Sequence, residues 1–228
     1  MGVPVLILGA SGSGKSTSLR NFKPADVAVL NVAGKPLPFK GQLPKIDNCG
    51  YETIKNALKR ANKNCYIVDD SQYLLSFDSF AKATEKGYDK WTDMAVNFYQ
   101  VIKTAISETP PDCVVYFLHH TEMNELGKTK AKTLGKMLDN QLTVEGLFSI
   151  VLLTETDGND HWFITQSDGT TPCKSPMGMF EDLRMGNDLA MVDSKIREYW
   201  GLSPIDKVAK PAEKPKAEPA KEQTDVKA

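Results

Sequence analysis

Gly9-Ala10-Ser11-Gly12-Ser13-Gly14-Lys15-Ser16 is the stretch whose reading decides the fold. It carries the spacing G-x-x-x-x-G-K-[ST] of a P-loop. Residues 3–8 precede it as an apolar run and read as a strand, and residues 15–22 read as a helix. That context gives the motif its meaning, because a P-loop joins a strand to a helix through a glycine-rich turn. Glycines let successive backbone N–H groups bend inward toward phosphate oxygens. A helix N-terminus adds unpaired N–H groups and the positive end of its dipole. Gly9, Ala10, Ser11, Gly12, Ser13, Gly14, Lys15, Ser16 and Thr17 are therefore expected to hold ATP. Lys15 is expected to reach the β- and γ-phosphates, and the Ser16 hydroxyl to bind Mg²⁺. Lys15 should be exposed in the loop, so that its loss costs binding and little stability.

Working outward, strand-like and helix-like segments alternate, the mark of an α/β fold with a mostly parallel sheet covered on both faces. Residues 27–32, 65–68 and 113–118 read as strands, and 51–61 and 91–106 as helices. Residues 149–154 and 162–165 flank Asp157-Gly158, a turn signal that predicts a β-hairpin. Asn187 or Asp188 can cap a last helix running to Trp200. An ordered domain is expected over 1–202. Residues 203–228 are rich in Pro, Ala, Lys and Glu and are expected to be disordered. Such a tail suits a protein partner or simple solubilisation.

The strand at 65–68 ends in Asp69-Asp70, which looks like a Walker B strand. In open parallel sheets ligands sit beyond the carboxyl ends of the strands. Asp69 is expected to hold Mg²⁺ opposite Ser16, and Asp70 to polarise the attacking water as general base. An ordinary polar loop is the bland alternative. His119, His120 and Thr121 end the next strand. His120 is expected to sense the γ-phosphate, with a core histidine beside a solvated one as the alternative. Segment 122–139 then brings Lys128, Lys130, Lys132 and Lys136 with two glycines. It reads equally as a mobile loop for phosphate backbones or as a solvated surface. Tyr73, Phe77, Phe80 and Tyr88 suit core packing better than base stacking. Lys35, in the turn 34–39 after the second strand, should lie near the same crevice, where it could touch phosphate; a rigid proline turn is the favoured reading. Lys174 could serve as a finger reaching a neighbouring subunit's nucleotide.

Net charge is −1, from 28 basic and 29 acidic residues, so any nucleic-acid affinity must be local. Four scattered cysteines without C-x-x-C argue for buried thiols in a reducing cytosol, against zinc and against disulfides. No signal peptide and no membrane span are read from the chain.

Together, GASGSGKST at 9–17, YIVDD at 66–70 and FLHHT at 117–121 carry a resemblance. Segment 132–139 with Phe148, Lys174-Ser175-Pro176 and Asn187-Asp188-Leu189 add to it. Over residues 3–200 the chain resembles phage-encoded, AAA-labelled RecA-like P-loop nucleotide-binding proteins, related to single-strand annealing ATPases of the Sak group. The resemblance implies a RecA-like core, ATP and Mg²⁺ binding, and ATP hydrolysis. It also implies a role in phage DNA recombination or replication in the host cytoplasm, on single-stranded DNA, in a ring or filament. Two departures stand out. Asn31 lies where such proteins carry a catalytic Glu, and His120 replaces the usual sensor Gln. A weakly hydrolysing, nucleotide-gated binding module is the alternative function.

Overall fold

The structure, a computed structural model, describes residues 1–134, 137–138 and 141–206. Its centre is β1 (Val3–Gly9), whose side chains alternate between two apolar layers. Leu6 and Leu8 face one layer, and Val5 and Ile7 the other. A strand buried on both faces has no polar side to show, so it reads as an unbroken apolar run. The same holds for β4 (Cys65–Asp69) and for the first part of β5 (Val114–Met123). The other strands are β2 (Val27–Asn31), β3 (Lys45–Asp47), β6 (Thr129–Ala131), β7 (Ile150–Asp157), β8 (Asp160–Ile164) and β9 (Arg184–Gly186).

Among the described residues the nine strands follow the order β3-β2-β4-β5-β1-β7-β8-β9, with β6 paired to β5. Every pair from β3 to β7 is parallel. β7, β8 and β9 are antiparallel, so the hairpin expected around Asp157-Gly158 is present. The fold is α/β with a mostly parallel sheet. β5 lies between β1 and β4, pairing Gly9 with His120 and Val68 with Phe117. The P-loop, the histidine pair and the acid pair therefore leave the sheet side by side.

Helices α1 (Tyr51–Arg60), α2 (Tyr73–Ala81) and α3 (Asp89–Ser107) cover one face through Ile54, Leu75, Phe98 and Ile102. α4 (Leu189–Trp200) and a 3-10 helix (Ser16–Asn21) cover the other through Leu19, Val192 and Ile196. Asp188 resolves the choice of cap for α4, accepting from Ala190 N at 3.0 Å and Met191 N at 3.3 Å. The helix is fastened to the sheet by buried polar groups. Arg197 donates to Asp193 at 2.5 Å, Tyr116 donates to Asp193 at 2.9 Å, and Arg197 also reaches the carbonyls of Asn64, Asp112 and Ser203.

Three expectations need correction. The segment after the P-loop is a six-residue 3-10 helix and not an α-helix. Ser18 N is shared between Gly14 O and Lys15 O, and Ser18 Oγ donates to Lys15 O at 2.6 Å. Serine and threonine hydroxyls that bond their own backbone compete with helical pairing. So short a helix contributes little dipole at its N-terminus. Second, Phe77, Phe80 and Tyr88 are exposed and not core, while Tyr73 packs against the core. Third, segment 122–132 is no open loop. β5 runs on past the sheet and turns back as β6, pairing Thr121 with Ala131 and Met123 with Thr129.

The four cysteines are free and buried. Among the described residues no helix is long and apolar enough to cross a membrane. Ser203 of the expected tail bonds Asp112, with Oγ donating at 2.8 Å. Residues 207–228 of that tail lie outside the described residues.

Candidate nucleotide-binding site

The loop between β1 and the 3-10 helix takes its shape from three glycines. Gly12 and Gly14 adopt left-handed φ values of 80° and 94°. Gly9 needs the absence of a side chain, since a Cβ there would lie 1.9 Å from Thr154 Oγ1. Thr154, on β7, shares a hydrogen bond of 2.5 Å with Ser13 Oγ and so holds the back of the loop. His161, on β8, has Nδ1 3.2 Å from Ser13 O, where the ring N–H donates to the carbonyl. Sequence reasoning missed both residues. They lie 141 and 148 residues from Ser13, and neither carries a local signal.

Lys15 is 6% exposed, contrary to expectation. Its ammonium donates to Gly9 O at 2.8 Å and Ala10 O at 2.7 Å, curling back over the loop. Burial pushes its pKa down to about 8, against the pull of Asp70 and Asp69. At neutral pH it is still mostly a cation.

Across the gap spanned by β5, Ser16 Oγ donates to Asp69 Oδ1 at 2.8 Å. Burial, and then the charge of Asp70, raise the Asp69 pKa to about 6, against the Ser16 hydrogen bond. A hydroxyl and a desolvated carboxylate meeting at one point fit a hard dication. Mg²⁺ is commonly held by one or two protein oxygens, with phosphate oxygens and water completing its octahedron. The described residues contain no cluster of three His, Cys, Asp or Glu that would hold a metal alone. Ser16 and Asp69 could supply two oxygen ligands to such an ion.

Asp70 adopts a left-handed φ of 58°, which turns its side chain out of the strand line. Its Oδ2 is 2.6 Å from Lys35 Nζ, and its Oδ1 is 3.4 Å from His120 Nε2. The His120 contact is within ion-pair reach but lacks hydrogen-bond alignment. Burial alone would raise the Asp70 pKa; His120 and Lys35 outweigh it and hold the carboxyl below the ordinary range. A carboxylate so well satisfied is a weak base. His120 stacks edge-on to Tyr73, ring centroids 5.6 Å apart.

His119 is fully buried. Ser71 Oγ lies 2.9 Å from Nδ1, and Nε2 lies 2.8 Å from Lys132 O. The carbonyl can only accept, so Nε2 carries the proton and Nδ1 is an acceptor facing the Ser71 hydroxyl, whose one proton is shared with Leu118 O at 3.0 Å. Burial lowers this pKa to about 4, and the ring stays neutral. The two histidines thus divide as core residue and site residue.

Lys132 N donates in turn to His120 O at 2.8 Å. The lysine segment is therefore anchored to the strand end that faces the P-loop. Its turn is built by Asn124, whose Oδ1 accepts from Leu126 N at 3.0 Å and Lys128 N at 2.9 Å. Lys128 and Lys132 are exposed, and Lys130 pairs with Glu122 at 2.9 Å. Lys136 lies outside the described residues. Lys174 bridges the backbone of Val151 in antiparallel fashion.

Lys35, for which the sequence offered both a rigid proline turn and a phosphate contact, lies against Asp70 at the end of the acid strand. No protein-family profile matches the chain, and a comparison with curated proteins finds no match.

Proposed function

We propose that this protein is a RecA-like P-loop ATPase, dependent on Mg²⁺, that couples nucleotide state to single-stranded DNA. The Ser16–Asp69 hydrogen bond carries the reading, because it joins the P-loop hydroxyl to the acid strand at the spot a phosphate-bound metal requires. The order of β1, β5 and β4 supports a RecA-like core, since it sets a sensor strand between the two motifs. Loop N–H groups and Lys15 would bind the triphosphate. Mg²⁺, held by Ser16 and Asp69, would supply charge neutralisation at the β- and γ-oxygens. Asp70 would accept a proton as water oxygen attacks the γ-phosphorus and the bond to the ADP oxygen breaks.

The DNA part rests on Lys128, Lys130 and Lys132, whose hairpin is bonded to His119 and His120. Lysines act as point charges on phosphates and need no strict geometry. Glu122 and Glu125 in the same hairpin dilute that field. The resemblance to phage RecA-like proteins suggests recombination or annealing in the host cytoplasm, by a ring or filament. A second reading, a slowly hydrolysing ATP-gated module that switches a protein partner, is favoured by one observation: Asp70 is held by Lys35 and is a weak base.

Phosphate release with ATP and Mg²⁺, with and without single-stranded DNA, tests the proposal. DNA-stimulated turnover, together with salt-sensitive DNA binding, is expected. Absence of both sinks the DNA-coupled reading. Tight ATP binding with negligible turnover selects the gate.

A further inference from the structure

We propose that Lys35 is a latch read by the third phosphate: its ammonium leaves Asp70 for the terminal phosphate of a bound nucleoside triphosphate, freeing Asp70 only when that phosphate is present. The inference rests on the nucleotide-binding reading above and assigns a regulator to that site.

The backbone that delivers Lys35 is built for the purpose. Asn31 ends β2 and is buried. Its Oδ1 accepts from Gly34 N at 3.0 Å, and its Nδ2 donates to Lys35 O and to Asp47 Oδ1, each at 2.7 Å. Gly34 takes a left-handed φ of 69°, and a Cβ there would lie 2.4 Å from Asn48 Oδ1. The left-handed backbone favours glycine at this turn, and the Asn31 bonds hold the turn in place. From it the Lys35 side chain extends to Asp70 at 2.6 Å, passing the Tyr73 ring with Nζ 5.4 Å from its centroid.

The head of this side chain is free to move where its root is not. Lys35 is 59% exposed, while Asp70 is 6% exposed. The lysine end of the pair lies in water, so its ammonium can change partners without first being drawn out of a buried site. Lys35 also lies close enough to Asp69 and Lys15 for both to feel its charge. It thus stands on the acid side of the phosphate site, with Lys15 on the loop side. A terminal phosphate carries more charge than one carboxylate and offers several acceptor oxygens. A flexible ammonium within reach of both should exchange toward it. A diphosphate, which lacks that terminal group, would leave the pair closed.

The full chain is titrated with a non-hydrolysable ATP analogue and with ADP, each with Mg²⁺, by calorimetry. Lys35→Ala should weaken the analogue about tenfold and move ADP by less than about twofold. Lys35→Arg should keep most of the preference. Asp70→Asn, which removes the competing carboxylate, should tighten the analogue more than ADP, and that gain should vanish in Lys35→Ala/Asp70→Asn. Equal loss for both nucleotides, or no change in their ratio, overturns the latch, as does a gain that persists without Lys35. If Lys35→Ala fails to fold, Lys35→Gln keeps the stem and carries the same expectations. A wild-type chain that binds neither nucleotide overturns the site reading itself; one that binds both while Lys35→Ala keeps their ratio overturns the latch alone.

Discussion

Ser16 and Asp69 stand 53 residues apart in the chain and 2.8 Å apart in space. The contact exists because β5 separates β1 from β4 by one strand, so that a loop and a strand end can bridge it. Asp69→Asn keeps the shape and removes the charge. It should abolish the dependence of ATP affinity on Mg²⁺ and lower turnover by about a hundredfold or more. Titrations with and without Mg²⁺ check this. Undiminished Mg²⁺ dependence in the variant would move the metal elsewhere.

Lys15→Ala should abolish tight ATP binding and also lower stability, because the residue is buried and bonded to Gly9 O and Ala10 O. The expected stability cost is about 1–2 kcal/mol, with the desolvated charge offsetting part of the lost hydrogen bonds. Urea unfolding measures it. Unchanged stability would show that the two carbonyl contacts do not form in solution.

His119 gives the fold a sensitivity to acid. Its ring titrates at about 4 when folded, below its ordinary value of 6.5. The native state holds the neutral form, so this stability is whole above pH 6.5 and is lost as pH falls toward 4. At about pH 5 the loss should be roughly 2 kcal/mol. Denaturation of the wild type and His119→Asn at neutral pH and at that acid pH should show a flatter dependence in the variant. Parallel curves would place the proton elsewhere.

Arg197→Met should destabilise the chain by about 3–5 kcal/mol, because it strands a buried Asp193 carboxylate. Asp193 then keeps only the Tyr116 hydroxyl, and three backbone carbonyls lose a donor. The double change Asp193→Leu/Arg197→Met should cost less than Arg197→Met alone. Thermal melts of both decide; a double variant weaker than the single would show that the Tyr116–Asp193 hydrogen bond outweighs the cost of the unpaired carboxylate.

Gly9→Ala should disrupt the loop, since its Cβ meets the Thr154 hydroxyl at 1.9 Å. Thr154→Ala should restore part of the lost ATP affinity when combined with it. No rescue would mean that the Ser13 hydroxyl, at 2.4 Å from that Cβ, is the deciding clash.

Much of this arrangement was legible in the chain because it is local. Gly9 to Ser16 name their own loop, and short apolar runs such as 65–68, too brief for a helix, fit strands buried on both faces. Asp69 followed from strand-end geometry. Other parts depend on distant side chains. Lys35 reaches Asp70 only because Asn31 bonds the turn around it, and an asparagine in a sequence does not announce its partners. Thr154 and His161 support the loop from β7 and β8 with no motif of their own. Two misreadings had signals in plain view. Ser16, Thr17 and Ser18 favour local hydroxyl bonds over an α-helix. Asn124 with Gly127, at φ 73°, is a turn in the middle of the lysine segment.

The buried thiols carry a practical consequence for watching this molecule work. Burial raises Cys49 to about 11, Cys113 to about 12, and Cys65 and Cys173 above the ordinary thiol range. Thiolate is the species that attacks a maleimide, so none of the native cysteines competes well for label in the folded chain. Lys128→Cys, at the exposed hairpin turn, therefore offers a single fast-reacting handle without stripping the native four. A dye there reports hairpin displacement while every core sulfur stays in place.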